Sequence, residues 1–170
     1  HLEVPVSRTL MAQGAISDLH PLMMGMTGFW GTKFINDKTA NADVILAVGT
    51  RFAEADSSSW YKGVTFDMSK TKFIQIDIDP SEIGRNYPVA IGAVADAKQA
   101  LKAILKAAKE LKPEGIKRPK LLEEIAKYKE EFKEANRAIS EDNRFPMTPQ
   151  RILKDVREVL PEDAIIATDV

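Results

Sequence analysis

The 170-residue sequence contains no cysteine and only two histidines, His1 and His20. Without cysteine there are no disulfides, no iron–sulfur ligands and no thiol nucleophile, and a reducing compartment is mildly favoured. His1 is terminal, and His20 precedes Pro21 with no second histidine, cysteine or carboxylate at ligand spacing. Neither a zinc site nor a catalytic triad is therefore expected, and no metal or catalytic residue is assigned. No run of about 18 or more apolar residues occurs, which excludes a membrane-spanning helix. The patterns G-x-G-x-x-G and G-x-x-x-x-G-K-[ST] are also missing, so the dinucleotide fingerprint and the Walker-type phosphate loop fail. Charge of one sign is lacking too. The 24 basic and 25 acidic residues are interspersed and sum to −1, which gives no nucleic-acid-binding or membrane surface. The opening "HLEVPVSRTL" has no basic region followed by an apolar core, and reads as a chain cut from something longer.

What is present is strand and helix in alternation. "VPVSRT" (4–9) is a short β-branched run that opens into loop chemistry. "DVILAVG" (43–49) is continuously apolar and predicts a strand buried on both faces of a parallel sheet. "KFIQIDID" (72–79), stopped by Pro80, and "VAIGAVAD" (89–96) predict two more. Asp96 fits a helix N-cap, with Gln99 at the capping-box position, and the apolar residues from Ala97 to Leu111 keep the 3.6 period. Such alternation predicts an open parallel sheet of α/β class built from right-handed βαβ units. "KPEGIKRP" (112–119) is a linker by composition. Beyond it Leu121, Ile125, Tyr128, Phe132, Ala135 and Ile139 mark an amphipathic helix packed on its own protein. Thr148 as N-cap with Pro149 at the first position starts another helix, and "PEDAIIATDV" turns into a strand.

In open α/β sheets, ligands bind beyond the carboxyl ends of the strands. Thr9, Leu10 and Met11, then Gly49, Thr50 and Arg51, then Asp77 to Pro80, then Asp96 and Ala97 all fall at that edge. The loop "GMTGFWGT" (25–32) leads into the helix before Gly49 and belongs beside them. A nucleotide would find backbone N–H groups at the glycines, a guanidinium at Arg51 for phosphate, and carboxylates at Asp77 and Asp96 for ribose or adenine. Each residue also has a plain structural use. Gly49 turns a strand, Arg51 pairs with Glu54 or Asp56, Asp96 caps a helix, and the loop is a crowded turn.

"GAISDLHPLMMGMTGFWGT", "ADVILAVGTRF" and "FIQIDIDPSEIGRN" resemble the central domain of thiamine-diphosphate-dependent enzymes of the acetolactate synthase group. The resemblance covers about residues 4–111. It implies a Rossmann-like, nucleotide-binding fold, incomplete at its N-terminus because the family's first strand and glycine-rich turn are not seen. The implied division is a central domain at 1–111, a linker and amphipathic helix at 112–147, and the opening helix and strand of a diphosphate-binding domain at 148–170. In many members the central domain holds FAD or an ADP-type nucleotide. Carried over by motif, Thr9, Leu10 and Met11 match the loop along that cofactor, and Met26, Gly28, Phe29 and Trp30 match the glycine loop. Gly49, Thr50 and Arg51 match the phosphate and ribose segment. Asp77, Ile78, Asp96 and Ala97 match segments around the adenine and the isoalloxazine end.

Thiamine diphosphate and its Mg2+, together with the catalytic glutamate, would lie outside this chain. The substrates implied are 2-keto acids or diones, in a cytoplasmic homo-oligomer. Where the family's synthases continue as R-F-D-D-R, this sequence reads Arg51-Phe52-Ala53-Glu54-Ala55. Ala53 replaces a nucleotide contact, Ala55 replaces the arginine that holds the acceptor carboxylate, and "DSSSW" (56–60) implies a differently shaped acceptor pocket. Four readings follow: a fragment of an acetolactate-synthase-like carboligase, a glyoxylate carboligase or dione hydrolase relative, a nucleotide-binding module, and a structural spacer. The missing first strand further predicts a sheet edge that pairs with another copy or takes up "AIIATDV".

Overall fold

In the computed structural model, residues 1–167 are described. Five strands form: β1 (Val6–Arg8), β2 (Met23–Met26), β3 (Val44–Val48), β4 (Lys72–Asp77) and β5 (Ile91–Val94). The helices are α1 (Lys33–Ala40), α2 (Ala97–Leu111), α3 (Pro119–Ser140) and α4 (Pro149–Val159). Every strand pairing is parallel, in a two-stranded sheet β1-β2 and a three-stranded sheet β3-β4-β5. This is the α/β class that the alternation of elements predicts, and the Rossmann-like fold that the resemblance implies. The chain divides into two compact units, one of His1–Ile125 and a second that begins at Ala126.

The core of the first unit is aromatic. Phe52, Phe66, Phe73 and Tyr87 surround Ala47 of β3. Most of their ring pairs meet edge to face at 5.2–5.6 Å, and Phe73 stacks on Tyr87 at 5.6 Å. Edge-to-face pairs add about 0.5–1.5 kcal/mol each beyond area burial. Phe52 reaches this cluster at φ +52°, a left-handed backbone that phenylalanine rarely adopts. Burial of its ring offsets that strain.

β3 departs from the expectation of burial on both faces. Ile45 and Ala47 face the aromatic core, whereas Val44 is 54% and Leu46 41% exposed. No second layer covers that face among the described residues. The apolar stripe of α2 is likewise only part-covered at Leu101, Ile104 and Leu105. Asp96 does cap α2, its Oδ1 accepting the Gln99 amide at 2.9 Å. α3 buries Ile125 completely, but Phe132 and Ile139 farther along it are exposed, so only its first turns pack as expected. Thr148 caps α4, with Oγ1 accepting the Arg151 amide and donating to the Ile139 carbonyl at 2.9 Å.

The strand expected after Pro161 is not formed across 164–167, which take no strand pairing, and Ile165 is fully exposed. An apolar β-branched run needs a neighbour to become a strand. The last three residues of that expectation, 168–170, lie outside the described residues. Among the described residues β1 pairs only with β2, and β3 only with β4.

Candidate functional site

The parallel register of β3, β4 and β5 brings Gly49, Ile78 and Asp96 to one sheet edge, because each follows the last paired residue of its strand by one or two positions. On the other sheet Arg8 stands opposite Met26, and the Thr27 amide donates to the Arg8 carbonyl at 3.1 Å. That bond brings the start of the Thr9–Leu10–Met11 turn beside the glycine loop. The two groups are connected through the 3-10 turn Gly28–Trp30, which packs against the 3-10 segment Ala55–Trp60 that follows β3.

The glycine loop answers to its own protein first. Gly28 is buried at φ +80°, and a Cβ there would lie 2.2 Å from the Ala55 carbonyl oxygen. Its amide donates to Asn36 Oδ1 and its carbonyl accepts from Asn36 Nδ2, both at 2.9 Å. The Gly31 amide donates to the Gly28 carbonyl, and the Gly49 amide to the Ile76 carbonyl. The amides of these three glycines are therefore engaged within the protein. What the loop presents outward is its tip: Phe29 is 71% and Trp30 52% exposed, their rings edge to face at 5.1 Å. Leu10, Met11 and Ile78 are also exposed.

Gly49 sits at φ +61° with open space where a Cβ would be, so it is required by the turn alone. The backbone after it is clamped. Gln75, 1% exposed on β4, donates through Nε2 to the Thr50 and Glu82 carbonyls at 3.0 Å and accepts the Gly84 amide at 2.9 Å. Asn86 Nδ2 donates to the Arg51 carbonyl at 2.8 Å, and the Trp60 indole to the Phe52 carbonyl at 2.9 Å. With Phe52 drawn into the core, Arg51 is directed outward and exposed. Neither Glu54 nor Asp56 pairs with it; Glu54 instead accepts from Ser59 Oγ at 3.2 Å. Gln75, Asn86 and Asn36 are the residues that sequence reading missed.

The carboxylates serve short turns. Asp77 Oδ1 accepts the Asp79 amide, and Asp79 Oδ1 accepts both the amide and the hydroxyl of Ser81. Those Ser81 bonds, the hydroxyl first, hold the Asp79 carboxyl below its ordinary range. Asp96 and Ala97 begin α2. Beyond Ala53 and Ala55 the chain runs through a left-handed stretch, Ser58, Ser59 and Trp60, with φ of 48°, 53° and 58°. Such backbone costs roughly 1–2 kcal/mol per residue. It is held by the Ser59 amide on the Glu54 carbonyl at 2.8 Å and by Ser58 Oγ against Thr65 Oγ1 at 2.7 Å. Among the described residues no three His, Asp or Glu side chains gather as a metal site, and no helix is long and apolar enough to cross a membrane.

Residues 1–104 match the family described as thiamine pyrophosphate enzyme, central domain. A probable acetolactate synthase large subunit of Methanocaldococcus jannaschii is 36% identical over 177 residues, covering 99% of this chain and 28% of its own length. The corresponding protein of Methanococcus aeolicus is 34% identical, over 99% of this chain and 29% of its own. Glyoxylate carboligase of Escherichia coli O157:H7 is 32% identical, over 98% and 27%. The chain thus spans under a third of the length of these relatives.

Proposed function

The chain belongs to the thiamine pyrophosphate enzymes, whose central domain it carries, and from that premise we propose that it is the nucleotide platform of an acetolactate-synthase-like carboligase acting on 2-keto acids. In this reading residues 1–111 hold FAD or an ADP-type nucleotide, 112–147 form a linker and helix, and 148–170 open the diphosphate-binding domain. Thiamine diphosphate and Mg2+ would be held outside this chain, where the cofactor would supply the nucleophilic chemistry needed at a keto carbonyl. The observation that carries the reading is the Thr50–Arg51 segment. Its carbonyls are fixed by Gln75 and Asn86, while the guanidinium of Arg51, at the carboxyl edge, makes no ion pair among the described residues. A fixed main chain with a free guanidinium suits a phosphate oxygen. Exposed Phe29 and Trp30 suit a planar ring.

The residue types fit this group in part. Ala53 removes one nucleotide contact that the family resemblance implies, and no thiamine diphosphate site is assigned to these residues. A second reading is favoured by Ala55 and the left-handed Ser58–Trp60 stretch: a differently shaped acceptor pocket, in a relative of glyoxylate carboligase or of a dione hydrolase. In this reading the full-length protein is a cytoplasmic homo-oligomer.

The test is a flavin absorbance spectrum of the full-length protein, with titration by FAD and ADP, followed by assays on pyruvate, glyoxylate and a cyclic 1,2-dione. Arg51→Ala is expected to weaken ADP binding by about tenfold. A colourless protein that binds neither nucleotide sinks the platform. Turnover of the dione without carboligation of pyruvate selects the second reading.

A further inference from the structure

The Phe29–Trp30 tip has a rigid base, and that base is held by one side chain. Gly28 offers two polar backbone groups, and Asn36 of α1 takes both, donating and accepting at 2.9 Å. Asn36 is itself fixed, because α1 is tied to the protein interior by Thr39, whose Oγ1 donates to the Thr65 carbonyl at 2.6 Å. On its other side Gly28 rests against the Ala55 and Asp56 carbonyls, with no room for a Cβ. The turn is therefore clasped between α1 and the Ala55–Trp60 segment, and its next two residues project exposed rings. A hydrogen-bonded amide clip on a buried glycine is a large structural commitment for a loop whose aromatic side chains bury so little of their own surface. Holding the rings in advance lowers the ordering cost when a planar ligand arrives.

We infer that Asn36 is a positioning residue: by clipping both polar groups of Gly28 it pre-orients Phe29 and Trp30 to receive the planar ring of the bound cofactor, a flavin. This rests on the nucleotide-platform reading above. Asn36 itself touches no ligand and acts through the pair.

The experiment titrates the full-length protein with FAD and, separately, with ADP, following flavin fluorescence for the first and calorimetry for the second. Asn36→Ala is expected to raise the FAD dissociation constant about tenfold and to reduce quenching of the bound flavin. ADP has no flavin ring, and its dissociation constant is expected to stay within about twofold. In a Phe29→Ala/Trp30→Ala background the further change to Asn36→Ala is expected to alter FAD binding by less than about twofold. Equal losses for FAD and ADP, or the same FAD loss in both backgrounds, would mark a merely structural role and overturn the inference. If Asn36→Ala does not fold, Asn36→Asp serves in its place. It keeps an acceptor for the Gly28 amide, sets an oxygen against the Gly28 carbonyl, and is expected to show the same FAD-selective loss. A wild-type protein that binds ADP but not FAD overturns this inference alone. One that binds neither overturns the platform reading with it.

Discussion

Replacing Gln75 by leucine separates packing from polar satisfaction at the base of the candidate site. The side chain is 1% exposed, and leucine fills most of its volume, so little is lost by cavity formation. Three backbone groups lose their partner: the Thr50 and Glu82 carbonyls and the Gly84 amide. Gly84 is exposed and regains a hydrogen bond from water, whereas the two half-buried carbonyls do so only poorly. At about 1–3 kcal/mol for each buried polar group left unpaired, Gln75→Leu is expected to cost about 2–4 kcal/mol. That corresponds to a rise of about 30- to 1,000-fold in the local opening equilibrium. Amide hydrogen exchange of the segment 72–87 in the full-length protein reads this directly, with Gly84 accelerated most. Gln75→Glu provides the matching electrostatic arm. Burial would raise the folded-state pKa of the new carboxyl above its unfolded value of about 4.3, so the variant is fully stable below that pH and weakens as pH rises. Unchanged exchange in 72–87, together with an unfolding midpoint shifted by under about 0.5 kcal/mol, would refute the view that Gln75 clamps this segment.

Three further outcomes are expected. Gly28→Ala places a Cβ 2.2 Å from the Ala55 carbonyl at φ +80°, and should destabilise by about 2–5 kcal/mol in urea unfolding through strain and overpacking. Burial pushes the Tyr87 phenol up, the Ser57 hydroxyl opposing, yet neither hydroxyl has a hydrogen bond of proper geometry. Tyr87→Phe should therefore leave stability unchanged or raise it by up to about 1 kcal/mol, and a loss above about 1 kcal/mol in a thermal melt would show that the pair does bond. Ser81→Ala should move the Asp79 carboxyl back up toward its ordinary value in an NMR titration, since the Ser81 hydroxyl is the largest cause of its depression. With a depressed folded value, the Asp79 contribution is present above the unfolded pKa and lost as pH falls through the folded one.

Local chemistry was legible where it was self-contained. β3 and β4 follow from β-branched runs, α2 from a cap followed by a 3.6-period stripe, and α4 from a cap followed by proline at the first position, with Asp96 and Thr148 capping as their positions require. β4 ends at Asp77, two residues before its predicted end, because Asp77 and Asp79 turn the backbone onto their own carboxylates. β2 carries no strand signal in the sequence, since "MMGM" has neither β-branched residues nor alternation. The site was legible as an edge and illegible as a mechanism of support. Gln75 sits inside an apolar run and is polar for the sake of two loops, one 25 residues away at Thr50 and one 7 residues away at Glu82. The Asn36–Gly28 clip joins residues eight apart, a spacing that no helix or strand rule marks. Left-handed serines carry no signature either, because the conformation is imposed by Glu54 and Thr65 and is not chosen by serine itself.

The seat of Gly28 on the Ala55 and Asp56 carbonyls has a consequence for inheritance and for engineering. The two segments lie far apart in sequence but are a single unit of exchange. A relative's version of the 55–60 segment grafted alone would meet a glycine turn shaped for a different partner, and a grafted turn would meet the wrong carbonyls. Altering the backbone path of one while keeping the protein folded requires altering the other, whereas side-chain replacements along 55–60 leave the contacted main-chain atoms in place.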